Sequence, residues 1–369
     1  MKIAIDIREA SGEKAGKGWY TFHIARNLLK IDQKNDYILY TKEKVPGFDE
    51  FDNVKIKQFN LPHLLWHQRV ASDVKKEAVD VYFSPSSYIT PAILNKNIKS
   101  VITVHDLVAF LFPTAHNKKA VFLEKLFLKK ALKKSAHVTA VSTNTKRDII
   151  NKFHYDESKI STIFCSGSSA FRPLKKETLK PFAHKTNLPA KFFLAVGTIE
   201  PRKNYKRLIK AFAALSKVAP NYHLIIVGKN GWQFEEVYEE IRKNYLGKKV
   251  HTLGYISEPS LIKLYNLATA LVFPSLYEGF GIPPLEAMQC GCPVIASNTS
   301  SIPEVVGDAG LLITPENPES IAKAMHKLIK DDELRANLES QGLIQARKFS
   351  WELSAKKLLE VFNSVAKMA

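Results

Sequence analysis

The chain is short of cysteine, of acidic residues relative to basic ones, and of long apolar runs, and each shortage excludes something. Only three cysteines occur in 369 residues: Cys165, Cys290 and Cys292. Three is odd, and Gly291 alone separates the last two, which suits neither an ordinary disulfide nor a usual zinc site. All three are read as reduced and structural. No other cluster of ligating residues stands out, so no metal is expected. No apolar run is long enough to span a bilayer. The chain enters an alternating strand pattern at 2–7 without a charged leader or cleavage site, so a cytoplasmic location is expected. A GxGxxG fingerprint is missing too: Thr21 stands where a third glycine would follow Gly16 and Gly18. Without it and its downstream ribose-binding acid, a nicotinamide-dependent dehydrogenase is disfavoured.

The acid shortage is large. Against 54 Lys and Arg there are 36 Asp and Glu, a net charge of +18, so the surface attracts something anionic: nucleic acid, a phosphate-rich lipid surface or a charged substrate. The aromatics form no stacking array and no recognition motif appears, which disfavours nucleic acid.

The length suits two domains, each with its own core. Short apolar runs at 2–7, 37–40, 54–59, 79–83, 101–104 and 138–141 read as strands, with helical stretches between them, including 19–29. Strands alternating with helices indicate a parallel sheet covered on both faces. Between 164 and 188 the order lapses around Ser166, Gly167, Ser168, Pro173 and Pro181, as in a linker. A second series follows, with strands at 192–196, 222–227, 250–253, 271–273, 293–296 and 311–313 and helices at 204–218, 258–267 and 283–289. The expected organisation is an α/β protein of two Rossmann-like domains: 1–170, a linker at 171–187, and 188–350. The final helix, 351–369, is expected to pack back on the first domain. In doubly wound sheets ligands bind beyond the carboxyl ends of strands, so candidate residues should follow strands.

The most informative stretch follows the strand at 271–273. A loop with Glu278, Gly279 and Gly281 runs into a helix through Pro283 and Pro284, residues that suit a first turn because they lack the N–H left unpaired there. The remaining amides, of Gly279, Phe280, Gly281, Ile282, Leu285 and Glu286, point where a helix dipole favours a phosphate. A carboxylate beside a phosphate needs a neutral donor. A ribose diol suits Glu286, and a hexose ring suits Glu278.

The string EGFGIPPLEAMQCGCPVIAS at 278–297 resembles the signature of the family-4 retaining glycosyltransferases of GT-B fold. The resemblance extends back through LGYISEPSLIKLYNLATALVFPS and on through NTSSIPEVVGDAGLLITPENPESIA, nearly all of the second domain. It implies two Rossmann-like domains facing across a deep cleft, with a nucleotide sugar as substrate and no cofactor. It also implies that Glu278 contacts the transferred sugar, that Phe280 and Gly281 contact sugar and phosphate, and that Glu286 holds the ribose. Ile282 and Leu285 add amides at the same helix start. Upstream, VGTIEPRKN places Arg202 and Lys203 at a helix start, fit for a diphosphate. Lys203 matches the family lysine. Thr198 stands where many members carry an arginine, which leaves open whether Arg202 replaces it. Base contacts are expected from Gly254, Tyr255 and Ile256.

In the first domain VITVHDL puts His105 and Asp106 after a buried strand. Similar dipeptides in the resembling family supply a histidine that faces the donor sugar, and Asp106 could orient the ring. Gly16, Lys17 and Gly18 resemble the family's glycine-rich turn, where small residues let the backbone approach donor phosphates or acceptor. The segment 117–137 reads as a basic amphipathic helix, either packing its apolar face on the core or meeting an anionic membrane at the inner face of the cytoplasmic membrane. No residue stands out as a covalent nucleophile, unlike the paired carboxylates of retaining glycosidases. The expected reaction is a retaining, metal-independent, front-face hexosyl transfer to a glycan or lipid-linked acceptor. GDP-mannose is the first candidate donor, and UDP-glucose or another UDP-sugar stays open.

Overall fold

A computed structural model of the chain describes residues 1–12, 14, 16–112 and 118–368. The first set of strands is β1 (Lys2–Asp6), β2 (Asp36–Thr41), β3 (Val54–Gln58), β4 (Val81–Ser84), β5 (Ser100–Val104), β6 (His137–Ala140) and β7 (Ile160–Thr162). The second set is β8 (Phe192–Val196), β9 (His223–Val227), β10 (Val250–Thr252), β11 (Ala270–Phe273), β12 (Val294–Ser297) and β13 (Leu311–Ile313). They form two sheets, ordered β3-β2-β1-β4-β5-β6-β7 and β10-β9-β8-β11-β12-β13. Every described pairing is parallel. The central strands β5, β8, β11 and β12 are buried at every residue. That is why they read as continuous apolar runs: helices cover both faces of a parallel sheet.

The chain divides into two compact units, Met1–Cys165 with Ser350–Ala369, and Ser166–Phe349. The last helix, Trp351–Ala366, belongs to the first unit. It buries Trp351, Ala355, Leu358, Phe362 and Val365, a stripe at helical spacing. The Trp351 ring meets Tyr20 edge-on at 5.6 Å and Phe362 meets Phe83 at 5.4 Å. Ser350 opens the helix by accepting hydrogen bonds from the amides of Glu352 and Leu353.

Two expectations need correction. The stretch read as a linker holds a helix, Lys176–Lys185, inside the second unit. It was hidden because Leu179 is its one buried residue and Pro181 sits within it, a residue that costs an interior hydrogen bond. Gly16, Lys17 and Gly18 form no separate loop: they are the first residues of the helix Gly16–Ile31. A Cβ on Gly18 would stand 2.5 Å from the Glu9 carbonyl oxygen, so glycine there lets the helix start close against the preceding turn.

In the second unit, backbone is pressed against backbone at the ends of β8 and β9. A Cβ on Gly228 would lie 2.0 Å from the carbonyl oxygen of Gly197, and Gly228 has φ +155°. The Gly197 amide donates to Val227 O at 2.8 Å and the Gly228 amide to Gly254 O at 2.9 Å. Three strand ends are thereby fixed in register. Gly228→Ala is expected to cost ~3 kcal/mol or more, since the obstacle is backbone that cannot rotate away. Gly247→Ala, which meets nothing within 4 Å, is expected to be neutral or slightly stabilising. Urea unfolding of the two variants checks the contrast.

Candidate functional site

The strand order of the second sheet reverses between β8 and β11, whose following strands lie on opposite sides. A doubly wound sheet opens its ligand crevice there, beyond the carboxyl ends. The loop after β8 ends in a single turn, Pro201–Lys203, and the loop after β11 leads to the helix Ile282–Gln289. Their side chains meet. Lys203 Nζ lies 2.6 Å from Glu278 Oε1, and Arg202 Nη1 lies 2.7 Å from Glu278 Oε2. Ser275 Oγ donates to Glu278 Oε1 at 2.6 Å. Arg202 is itself anchored, donating from Nη1 to Tyr277 O at 2.8 Å and from Nη2 to Glu200 Oε1 at 2.6 Å.

These charges are largely out of water, with side-chain exposures of 18% for Arg202, 11% for Lys203 and 12% for Glu278. Burial alone would raise the pKa of Glu278. The adjacent Arg202 and Lys203, with hydrogen bonds from Lys203 and Ser275, instead hold it down at about 2. Burial pulls the Lys203 ammonium down while Glu278 opposes that, and the pair stands ionised because the carboxylate is held so low. Three further contacts set the loop. The Glu278 amide donates to Ser300 Oγ at 3.0 Å, and Ser301 Oγ donates to the carbonyls of Glu278 and Phe280 at 2.9 and 2.7 Å. Asn204, held at φ +61°, donates from Nδ2 to Pro274 O at 3.0 Å and Pro315 O at 2.7 Å. It ties the β8 loop to the β11 loop from beneath.

Gly281 caps the helix at φ +118°, and a Cβ there would stand 2.8 Å from Ile302 Cδ1. With Ile282 as first helical residue, Leu285 is the fourth, and its amide donates to Gly281 O at 3.4 Å. The expected row of open amides is therefore shorter. Pro283 and Pro284 have none, Leu285 and Glu286 lie where the helix uses its own, and Gly281 and Ile282 supply the first-turn donors. Glu286 lies in the second turn rather than the first. Burial pushes its pKa up to about 7, the hydroxyl of Tyr265 pulls it down, and the like charge of Glu258 raises it. Tyr265 Oη donates to Glu286 Oε2 at 3.0 Å. One face of this helix start thus carries a carboxylate held far below neutrality, and the next turn carries one poised at neutrality.

Other candidates stand apart from this cluster. Thr198 is exposed on the β8 loop. Gly254, at φ +65°, follows β10, and Tyr255 beside it is 62% exposed with Lys229 Nζ 5.0 Å from its ring centre; Ile256 is half-buried. In the first unit His105 is buried after β5, its Nε2–H donating to Pro85 O at 2.7 Å and its ring edge-on to Tyr20 at 4.8 Å. Burial first, then the charge of Lys17, lowers its pKa to about 4, so the ring is neutral and Nδ1 is its acceptor. Asp106, which could have oriented that ring, makes its hydrogen bond among the described residues elsewhere: its Oδ1 accepts the Val108 amide at 3.0 Å. Pro85 orients the histidine instead. Sequence reasoning missed Ser275, Ser300, Ser301, Asn204 and Tyr265. The one available signal was polar residues directly after buried strands, at Ser275 and 298–301.

Residues 176–344 match Glycosyl transferases group 1, and residues 16–166 match Glycosyltransferase Family 4. Over 338 residues the chain is 34% identical to the O-antigen chain mannosyltransferase B of Escherichia coli, covering 91% of this chain and 87% of that one. It is 30% identical over 271 residues to the serotype-specific mannosyltransferase WbdA of Escherichia coli, covering 72% of this chain and 33% of WbdA, so that the match spans a third of that relative. Among solved structures, Anabaena HepE in complex with UDP and glucose superposes with a TM-score of 0.80 at 18% identity, covering 99% of this chain and all of that one. A glycosyltransferase of Rickettsia africae gives 0.77 at 21%, covering 100% and 99%. Both are likenesses of fold. Two parallel-sheet units, matched end to end by relatives of one kind, make this chain a glycosyltransferase of GT-B fold belonging to family 4.

Proposed function

We propose that the chain transfers a hexose from a nucleotide diphosphate sugar, GDP-mannose first among them, to a hydroxyl of a glycan or lipid-linked acceptor in cell-surface polysaccharide assembly. The observation that carries the reading is the convergence of Lys203, Arg202 and Glu278 at the switch point, with Glu286 in the second turn of the adjoining helix. Mannose is supported by the names of the O-antigen mannosyltransferase relatives. A UDP-sugar is the second reading, favoured by HepE, whose structure holds UDP and glucose.

In this proposal the donor's diphosphate takes over Lys203 and Arg202 from Glu278. The released carboxylate then accepts hydrogen bonds from sugar hydroxyls, so donor binding itself frees the group that orients the sugar. The amides of Gly281 and Ile282, with Phe280 beside them, meet the phosphate, and the Glu286 carboxylate takes the ribose diol. As the C1–O bond to the diphosphate breaks, the acceptor hydroxyl oxygen bonds C1 from the same face and its proton passes to the departing phosphate oxygen. Configuration is retained. Lys203 and Arg202 stabilise the leaving group without a metal, work that for a single preorganised donor is worth ~100- to 1000-fold in rate. The first unit holds the acceptor, and His105, through Nδ1, accepts from a sugar hydroxyl. Gly254, Tyr255 and Ile256 meet the base and Thr198 the diphosphate, while in the first unit Gly16, with Gly18 packed against Glu9, lets the acceptor approach closely.

We further place the enzyme at an anionic membrane surface on the cytoplasmic side. No helix among the described residues is long and apolar enough to cross a membrane. In the basic helix Lys118–Lys134, Val121, Leu128, Ala131 and Leu132 are buried, which accounts for one apolar face. Asn117, at its expected start, lies outside the described residues. Packing leaves Phe122 at 66%, Leu123 at 45% and Leu126 at 40% exposure, near the exposed Lys129, Lys130 and Lys133. Apolar residues ringed by lysines suit an anionic leaflet, at ~1 kcal/mol per lysine.

Three outcomes test this reading. Glu286→Ala should weaken nucleotide binding ~10- to 100-fold, the worth of hydrogen bonds to a charged group, whereas Glu278→Gln should bind GDP or UDP at least as tightly, having lost the competitor for Lys203, yet transfer sugar about 100-fold more slowly. Isotherms and a donor-hydrolysis screen read both, and full activity in both variants would refute the assignment. Because Glu286 titrates at about 7 when free and ribose favours its ionised form, nucleotide binding below pH 7 should release a proton. Affinity should then rise by up to ~10-fold per pH unit toward 7 and level off above it. Calorimetry in buffers of different ionisation enthalpy reads that proton, and the slope should vanish in Glu286→Gln. Flotation with phosphatidylglycerol vesicles should carry the wild type, while a Phe122→Ser, Leu126→Ser variant stays at the bottom.

A further inference from the structure

The loop proposed to meet the base runs directly into the helix Glu258–Leu267. Its start is held by the Gly228 amide, which donates to Gly254 O at 2.9 Å, and a Cβ on Gly254 would meet nothing within 4 Å. Open space therefore borders the loop. Glu258, Ile262 and Tyr265 recur at i, i+4 and i+7, which puts them on one face of the helix. Ile262 and Tyr265 are buried, and Tyr265 Oη donates to Glu286 Oε2 at 3.0 Å. The face that carries Glu258 is thus the one turned toward Glu286, and the Glu258 charge is felt there, raising the Glu286 pKa.

Glu258 has no use inside the fold. It is half-buried, burial raises its pKa, and its carboxylate makes no hydrogen bond or ion pair among the described residues. Cations are plentiful, with 54 Lys and Arg against 36 Asp and Glu, yet this acid is left without one. Lys263, on the same helix, places its Nζ 5.0 Å from the Phe182 ring centre instead. A glutamate in a first turn is favoured by the helix dipole. That accounts for an acid in water, not for one half-buried beside a second buried carboxylate, where desolvation and like charge both oppose ionisation. A ligand that donates hydrogen bonds to both carboxylates resolves the conflict.

We propose that Glu258 reads the base of the donor and selects guanine, a reading that rests on the nucleotide-sugar transfer proposed above. With the ribose diol at Glu286, the base lies along the loop toward Glu258. The pairing edge of guanine presents N1–H and the N2 amine side by side, two donors that match the two oxygens of one carboxylate in a charge-assisted pair. Uracil offers N3–H alone, between two carbonyl oxygens that a carboxylate repels. Adenine sets the acceptor N1 beside its amine. Either base leaves Glu258 desolvated and underpaired, and a site built to pair a polar group discriminates steeply against ligands that cannot supply the partner.

The probes are GDP, UDP and IDP, the last being GDP without the N2 amine, titrated calorimetrically into the full chain above pH 7, where Glu286 is ionised. The wild type should bind GDP ~10-fold more tightly than IDP and ~100-fold more tightly than UDP, the worth of hydrogen bonds to a charged group. Glu258→Gln removes a side chain with no partner to lose, so its thermal unfolding should match the wild type, while its GDP affinity falls ~10-fold or more and the preference over IDP disappears. Equal wild-type affinities for GDP and IDP, UDP binding as tight as GDP, or a GDP preference that survives in Glu258→Gln would each overturn the proposal. The wild-type series decides by itself if the variant does not fold. Hydrolysis of nucleotide sugars without regard to the base would sink the guanine assignment and leave the transferase reading standing, whereas failure to bind any of the three nucleotides would sink both.

Discussion

The second unit is organised around one carboxylate shared by two cations. Glu278 accepts from Lys203, Arg202 and Ser275 at once, and none of these charges is well solvated. Removing ions from water costs several kcal/mol each unless a partner repays it, so the loops after β8 and β11 hold their shapes only together. Asn204 beneath and Ser300 and Ser301 beside them extend the dependence to the loop after β12. The network keeps two positive groups in fixed positions before any substrate arrives, which is what preorganised electrostatic catalysis requires. It also means that the resting site is self-satisfied, and an incoming polyanion must outcompete a carboxylate.

The architecture was legible because buried parallel strands write themselves as apolar runs. The strands at 192–196 and 311–313 and the helix at 258–267 were read with the bounds they have in the structure. Elements with little apolar content escaped: Lys176–Lys185 buries one residue, and β7 is three residues long at the sheet edge. For the site, the spacing of Glu278 and Glu286 across a proline-bearing helix start was visible, and so was the Arg202–Lys203 pair. That those cations rest on Glu278 was not visible, because a 75-residue separation carries no local signal. The roles of Pro85 and Asp106 around His105 were hidden for a similar reason: a backbone carbonyl has no sequence signature.

Net charge was the least specific feature of the sequence, and the structure shows why. The excess is not one patch. Part lies on the exposed side of Lys118–Lys134, beside apolar residues left uncovered, and part lines a concavity at the end of β1. A third share, at Arg202 and Lys203, is already neutralised within the fold. The same composition thus serves surface attraction and internal pairing, and only the partners of each residue separate them. Membership in the glycosyltransferase family removes the dehydrogenase alternative that two Rossmann-like domains alone had left open.

The return of the chain to the first unit after Phe349 makes the second unit an insertion in sequence terms. During synthesis from the N-terminus, every residue of Ser166–Phe349 is made before the helix Trp351–Ala366 exists. Until then Tyr20 and Phe83, which that helix covers, lack their lid. The later-encoded unit can therefore reach its native state first, while the earlier one waits half-built with apolar surface uncovered. Aggregation of nascent chains, rather than loss of chemistry, is then the vulnerability of substitutions in the final helix.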